Sequence, residues 1–293
     1  MGFSSFLQFF ISGVTMGSIY GLTALGFTII FNTTGIINFA QGEFVMLGGL
    51  LSVFFLKWFQ IGLPLSVLLA VLTTTVIGAA IERFAIRPVR GGSVINLILV
   101  TIGISIFVRG LTMLIFGKDT FVLPHFSGDL PLTFAGAAIM PQSIWIFAVT
   151  LLLLLALRLF FTKTIFGKGM LACSYDKKAS YLVGIGVNGM VLLSFVISAL
   201  VGAIGGVILT PVTMTSYDVG IMLGLKGFSA CIIGGLGNPF GAAAGGIILG
   251  ILESFGAGLV SSAYKDAIAF CILLILLFVK PSGLFGLSKI ERV

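Results

Sequence analysis

Five stretches of this 293-residue chain, 2–42, 64–81, 142–157, 179–217 and 227–252, contain no Asp, Glu, Lys, Arg or His. About 20 consecutive apolar residues cross a bilayer as a helix. Within lipid only helices or closed barrels satisfy every backbone N–H and C=O. The alternation of apolar and polar residues that marks a membrane barrel is absent. The sequence therefore predicts an all-α, polytopic helical membrane protein. Composition agrees: 58% of residues are hydrophobic and 9% are charged, against roughly a quarter charged in soluble domains. The apolar N-terminal run MGFSSFLQFFISG has no basic region before it and no small-residue cleavage site, so it is read as a retained span.

The placement of charge sets the orientation. Most of the net +7 falls in three segments: 82–90 (Arg83, Arg87 and Arg90 against Glu82), 158–178 (Arg158, Lys163, Lys168, Lys177 and Lys178 against Asp176), and the tail from 280 (Lys280, Lys289 and Arg292 against Glu291). Segment 117–141 carries Lys118 against Asp119 and Asp129, with three prolines. Basic loops stay in the cytoplasm, which puts the three basic segments inside and 117–141 outside. Topology accounts for the basic residues without a nucleic-acid partner. Spans are predicted at about 6–31, 43–58, 64–81, 94–116, 142–160, 188–210 and 266–280. Run 227–259 must cross twice or enter and return, turning at Asn238-Pro239, with short, broken helices. The expectation is seven to nine membrane segments in one domain, 1–293, with the side of the N-terminus open.

Glycine is abundant (40 residues) and ordered. Gly13, Gly17 and Gly21 recur every four residues, as do Gly237, Gly241 and Gly245, and Gly246 pairs with Gly250. Small residues at this spacing let helices approach closely in lipid, either within one chain or against a second membrane subunit.

Polar residues at membrane depth are the candidates for a pathway. Glu43 is the first ionisable side chain of the sequence and lies in GIINFAQGEFVMLGG (35–49) beside Asn38, Gln41 and Gly42. Spacing i, i+3, i+4 places the two amides on one helix face. Two readings stand: Glu43 starts a helix at the cytoplasmic edge, where the dipole favours it, or it anchors a broken segment beside the pathway, where a buried charge is costly. Arg109 either snorkels outward or faces the pathway. Ser229 is a further pathway candidate. Glu253 needs a basic partner that the sequence does not name, and Asp218 and Lys226 are expected to flank its region on the outer side.

Enzyme signatures are missing: HExxH, GxSxG and a Cys/His cluster are absent, and Gly167-Lys168-Gly169 lacks the spacing of a P-loop. Cys173, Cys231 and Cys271 are widely separated, as befits buried small hydrophobes, and His125 is read as a loop residue. No metal or cofactor site is expected in this chain. Segment GKGMLACSYDKKASYLVGIGVNG (167–189) is amphipathic and too polar to cross. It suits a short cytoplasmic helix that lies at the interface or docks a soluble partner.

Three motifs in order, GxINFAQGEFxMLGG (35–49), the loop with Ala172, Asp176, Ala179 and Gly184-Ile185, and GFSACIIGGLGNPFGAAAGG (227–246), resemble the branched-chain amino acid ABC transporter permease family, in its LivH-type half. The resemblance spans the chain. It implies a permease in the bacterial inner membrane that forms the pathway with a second, LivM-like permease. Two cytoplasmic ATPase subunits would bind the ATP and Mg, and a periplasmic solute-binding protein would deliver solute. It also implies that the loop at about 161–187 couples to the ATPase, through Ala172, Asp176, Lys177, Ala179, Gly184 and Ile185. Cys173-Ser174-Tyr175 departs from the pattern, which bears on which ATPase fits. Because the wider family handles urea, short amides and aromatic acids, these stay as alternative solutes. The rivals from other classes are an ion-coupled secondary transporter, which would use repeated intramembrane acids, and an integral-membrane enzyme, which would need a catalytic cluster.

Overall fold

The computed structural model describes residues 2–128 and 130–286. Asp129, Lys289, Glu291 and Arg292, used above to orient the chain, lie outside them. Eleven α-helices among the described residues form one antiparallel bundle: α1 (Phe3–Thr34), α2 (Gln41–Trp58), α3 (Leu63–Ile81), α4 (Val94–Phe116), α5 (Pro141–Lys163), α6 (Ile165–Tyr175), α7 (Lys177–Leu182), α8 (Val187–Thr213), α9 (Val219–Gly234), α10 (Pro239–Leu259) and α11 (Lys265–Val279). A hairpin of β1 (Leu132–Phe134) and β2 (Ala137–Ile139) precedes α5.

The bundle has two ends. At one end Arg90 Nη1 donates to Asn188 Oδ1 (3.2 Å), Lys177 Nζ to the Thr34 carbonyl, and Asn32 Nδ2 to the Gly237 carbonyl (3.0 Å). This end gathers the basic segments and is cytoplasmic by their charge. At the other end Phe121 and Thr215 exchange backbone hydrogen bonds, and Gln8 Oε1 accepts from the Ala138 N–H at 2.8 Å. The N-terminus is therefore outside. Seven helical segments are long and apolar enough to cross a bilayer: α1, α3 continued to Val89, α4, α5, α8, α10, and α11 counted from Ser262. The 18-residue α2 and 16-residue α9 are shorter, and their first turns meet inside the bundle, Gly42 against Gly220. This is a multi-pass membrane protein.

Run 227–259 goes in and comes back, turning where expected. Asn238 caps α10, its Oδ1 accepting from the Phe240 and Gly241 N–H groups at 3.1 Å, and Pro239 takes the first helical position, where its missing N–H costs nothing. The expected short, broken helices are one short helix, α9, that starts at Val219, followed by a continuous α10.

α1 and α8 are enclosed, while α3, α4, α5 and α11 turn apolar side chains outward. Glycine makes the tightest contact. A Cβ on Gly13 would stand 2.6 Å from Ile251 Cα, and one on Gly17 2.7 Å from Ile247 Cα. Gly21 faces Ala243 and Gly246, and Gly250 lies against Gly13 and Gly17. These faces close α1 on α10 within the chain. Gly241 and Gly245 pack instead on Gly234 of α9. Gly237 departs from the helical expectation: it lies in the turn before α10 with φ +96°, because the capping Asn238 interrupts the spacing.

Candidate functional site

The chain does not run directly from α1 to α2. Gly35, with φ +73°, caps α1, and residues 36–40 then climb back into the bundle. Gln41 meets Ser198, and Glu43 meets Ser105; each partner lies about three turns along its own helix from the cytoplasmic start. The first turn of α2 is thus roughly 16 Å along the bundle from the cytoplasmic starts of α4 and α8, by the 1.5 Å rise per residue. Glu43 does start a helix, but inside the bundle and not at its cytoplasmic edge.

Consecutive residues of that turn address different neighbours. Gln41 Nε2 donates to the Ser198 carbonyl (3.3 Å), and the Ser198 hydroxyl bonds Gln41 Oε1 and the Gly26 carbonyl (2.9 Å), tying α2 to α8 and α1. Gly42 lies against Gly220 and Gly224 of α9; a Cβ there would run into the Gly220 carbonyl. Glu43 Oε1 accepts from the Ser105 hydroxyl of α4 at 2.7 Å, and its Oε2 lies against Gly220. Asn38 precedes the helix and is fully buried, its Oδ1 accepting from the Ala40 N–H at 3.2 Å. The two amides therefore do not share a helix face: the backbone turns through Phe39-Ala40 before α2 begins. Asn38 Nδ2 and Glu43 Oε2 are buried without hydrogen-bond partners. Ser229 is buried on α9, its hydroxyl donating to the Leu225 carbonyl of its own helix.

A second polar cluster joins α9 to α1, α10 and α11. Lys226 Nζ donates to Glu253 Oε1 (2.7 Å) and the Tyr20 hydroxyl (3.2 Å) and stands 2.7 Å from Asp266 Oδ1. This corrects the outer-flank position expected for Lys226. It is a buried residue of α9 and the basic partner that Glu253 required, whereas Asp218 stays in the outer loop, bonded to Ser216. The pairing spans three helices, and the signal for it was a single lysine interrupting an otherwise apolar run.

At the cytoplasmic end, Asp176 caps α7, its Oδ1 accepting from the N–H groups of Lys178 (2.7 Å) and Ala179 (3.0 Å). Gly184 turns the chain with φ +85°, and Ile185, half-buried, donates its N–H to the Ser180 carbonyl. Ala172 sits on the half-buried side of α6, whose Gly167, Met170 and Cys173 face the bundle. Ile165, Phe166, Tyr175, Tyr181, Leu182 and Val183 are exposed. Burial and the neighbouring Arg90 hold the Lys177 ammonium below the ordinary lysine range. Cys173 and Cys231 are buried as expected; Cys271 is exposed on peripheral α11.

A helical bundle with seven helices long and apolar enough to cross a membrane, a polar helix start buried inside it and amphipathic helices at its basic end defines a transport protein of the permease class. The sequence profile of the family described as "Branched-chain amino acid transport system / permease component" matches residues 9–277, and the chain belongs to this family. It is 34% identical to the high-affinity branched-chain amino acid transport system permease protein BraD of Pseudomonas aeruginosa, over 98% of both chains. It is 36% identical to the correspondingly named LivH of Escherichia coli K12, over 99% of both. The fold is similar to a chain of PsaBC from Streptococcus pneumoniae, solved in complex with a Fab, with a TM-score of 0.50 and 16% identity over 94% of this chain and 92% of that one.

Proposed function

We propose that this chain is the permease subunit of an ATP-binding-cassette importer for branched-chain amino acids in a bacterial inner membrane. It pairs with a second, LivM-like permease to form the pathway. Two cytoplasmic ATPase subunits bind and hydrolyse ATP with Mg, and a periplasmic solute-binding protein delivers the amino acid. The whole chain acts as one permease domain, with 161–187 as the coupling loop. The observation that carries this reading is the exposed apolar face of α6 and α7, which stands at the basic, cytoplasmic end where an apolar surface needs a partner. Movement of these helices reaches the buried start of α2 through the end of α1, and solute passes by alternating access.

The test is solute-stimulated ATP hydrolysis by the reconstituted complex. Asp176→Ala removes the cap of α7, and Gly184→Val strains its exit. Both variants are expected to insert normally and to lose most of the stimulation. Full stimulation in both would remove the coupling role from this loop.

A further inference from the structure

Charge at the cytoplasmic end does not balance. Arg90 gives Nη2 to Glu82 and Nη1 to Asn188, and Lys177 gives one N–H to the neutral Thr34 carbonyl. Two cations therefore share one carboxylate. Asp176, next to Lys177 in sequence, has its Oδ1 turned to the backbone of α7. Donors are left over as well: the Arg90 Nε–H is buried without a partner, and an ammonium bonded once keeps two further N–H groups. Burial, and after it the charge of Arg90, lower the Lys177 pKa, so the two cations bear on each other.

Both cations line one cavity of about 150 Å³, enclosed by the end of α1, the starts of α4, α7 and α8, and segment 82–90. Arg90, Lys177, Thr34 and Asn188 supply its polar side, and Lys177 and Asn188 are exposed, so that side opens to the cytoplasm. The floor is apolar and buried: Ile36, Ile86, Leu97 and Val191. Among the described residues no carboxylate lines the cavity. Val187, at its wall, and Asn188 are the first two residues of α8, so the positive end of that helix dipole stands beside the two cations. An apolar cavity of about 150 Å³ is large enough for benzene. The space therefore suits a carboxylate that carries about four or five aliphatic carbons.

We infer that this cup is a binding site for a short aliphatic monocarboxylate from the cytoplasm: Arg90 and Lys177 hold the carboxylate, and Ile36, Ile86, Leu97 and Val191 receive the hydrocarbon body. One negative charge brings the cluster of Arg90, Lys177 and Glu82 to neutrality, which a doubly charged phosphate overshoots. A free amino acid fits less well than a simple carboxylate, because its ammonium group finds no acidic side chain on the wall. The bound carboxylate bridges α7 to segment 82–90, two elements that the structure otherwise joins only through repulsion of like charge and packing. The site is drawn from this end of the chain alone and goes beyond the import reading.

The test uses the purified full-length chain in lipid nanodiscs, without ATP, and measures binding of radiolabelled 3-methylbutanoate. Its displacement by 3-methylbutanamide, acetate, leucine and inorganic phosphate is followed in parallel. Each competitor is expected to need at least tenfold the concentration of unlabelled 3-methylbutanoate. Lys177→Gln is expected to weaken binding at least tenfold, and Lys177→Arg to restore it. Val187→Phe, which alters no charge and fills the cavity from its wall, is expected to weaken binding at least tenfold, and it carries the test if a charge variant does not fold. Displacement by the amide as readily as by the acid would remove the cations from the site, and by acetate the apolar floor; either result overturns the proposal. So does equal displacement by leucine or phosphate, undiminished binding in both Lys177→Gln and Val187→Phe, or no binding by the wild type. Leucine uptake by the wild-type complex reads the import function separately, so the two failures are told apart.

Discussion

The ammonium of Lys177, on the cytoplasmic helix α7, donates a hydrogen bond to the carbonyl oxygen of Thr34, in the last turn of α1. The contact joins the surface proposed to dock an ATPase with the segment that leads, through residues 35–40, to the buried start of α2. It also places a positive charge on the carbonyl end of a helix, where the dipole favours it.

Lys177→Met is accordingly expected to leave ATP hydrolysis active while lowering the amino acid moved per ATP several-fold, with Lys177→Arg restoring it. Parallel measurement of uptake and hydrolysis in proteoliposomes checks this; an unchanged ratio in the methionine variant would mean that the contact transmits nothing. Stability should respond differently. Because burial and Arg90 lower the Lys177 pKa, its charged form is a net cost to the folded state at neutral pH. That cost is relieved as pH rises through the folded value toward that of an ordinary lysine. Lys177→Met should therefore not lower the midpoint of thermal unfolding at pH 7 and should flatten its rise at alkaline pH.

Lys226 holds three helices, α1, α10 and α11, to α9. Lys226→Met leaves the Glu253 and Asp266 carboxylates without their cation, a change that costs about 3–5 kcal/mol when a buried pair is broken. Detergent-purified protein should lose most of its folded yield. Replacing Lys226 and Glu253 together with methionine should recover part of that loss, and a double variant no better than the single would argue against the pair as the source.

At Gly17 the space for a side chain is taken by backbone: a Cβ would lie 2.7 Å from Ile247 Cα and 2.8 Å from the Gly246 carbonyl. Gly17→Val is expected to cost at least the roughly 1–3 kcal/mol of an overpacked core. Gly110, around which a Cβ meets no neighbour within 4 Å, is the control. Gly110→Ala should leave the thermal midpoint close to that of the wild type, and equal losses at the two positions would remove the close-packing account.

Asn238 both caps α10 and donates through Nδ2 to the Phe285 carbonyl at 3.1 Å. Asn238→Ala should lower stability by about 1–2 kcal/mol, as loss of a helix cap does, seen as faster amide exchange at the start of α10. Unchanged protection there would contradict the capping role.

The features legible in the sequence are those carried by local chemistry. Asn238-Pro239 signals a helix start wherever it stands, and Gly13, Gly17 and Gly21 signal close packing without naming the partner. What was not legible depends on how distant helices are placed. Lys226 reads as the edge of an apolar run because its partner Glu253 becomes visible only once α9 and α10 lie side by side. Gly237 keeps the four-residue spacing of Gly241 and Gly245, yet lies in a turn because Asn238 caps the helix after it. The depth of Glu43 follows from residues 36–40 re-entering the bundle, which spacing alone does not reveal: GIINFAQGE fits a helix start at either depth.

The most direct measurement is leucine accumulation in proteoliposomes holding either this chain alone or the complete set of two permeases, two ATPases and binding protein. Accumulation is expected only in the complete set, only with ATP and Mg, and in step with hydrolysis. Vigorous accumulation by the lone chain down an ion gradient, with no nucleotide hydrolysed, would contradict the account.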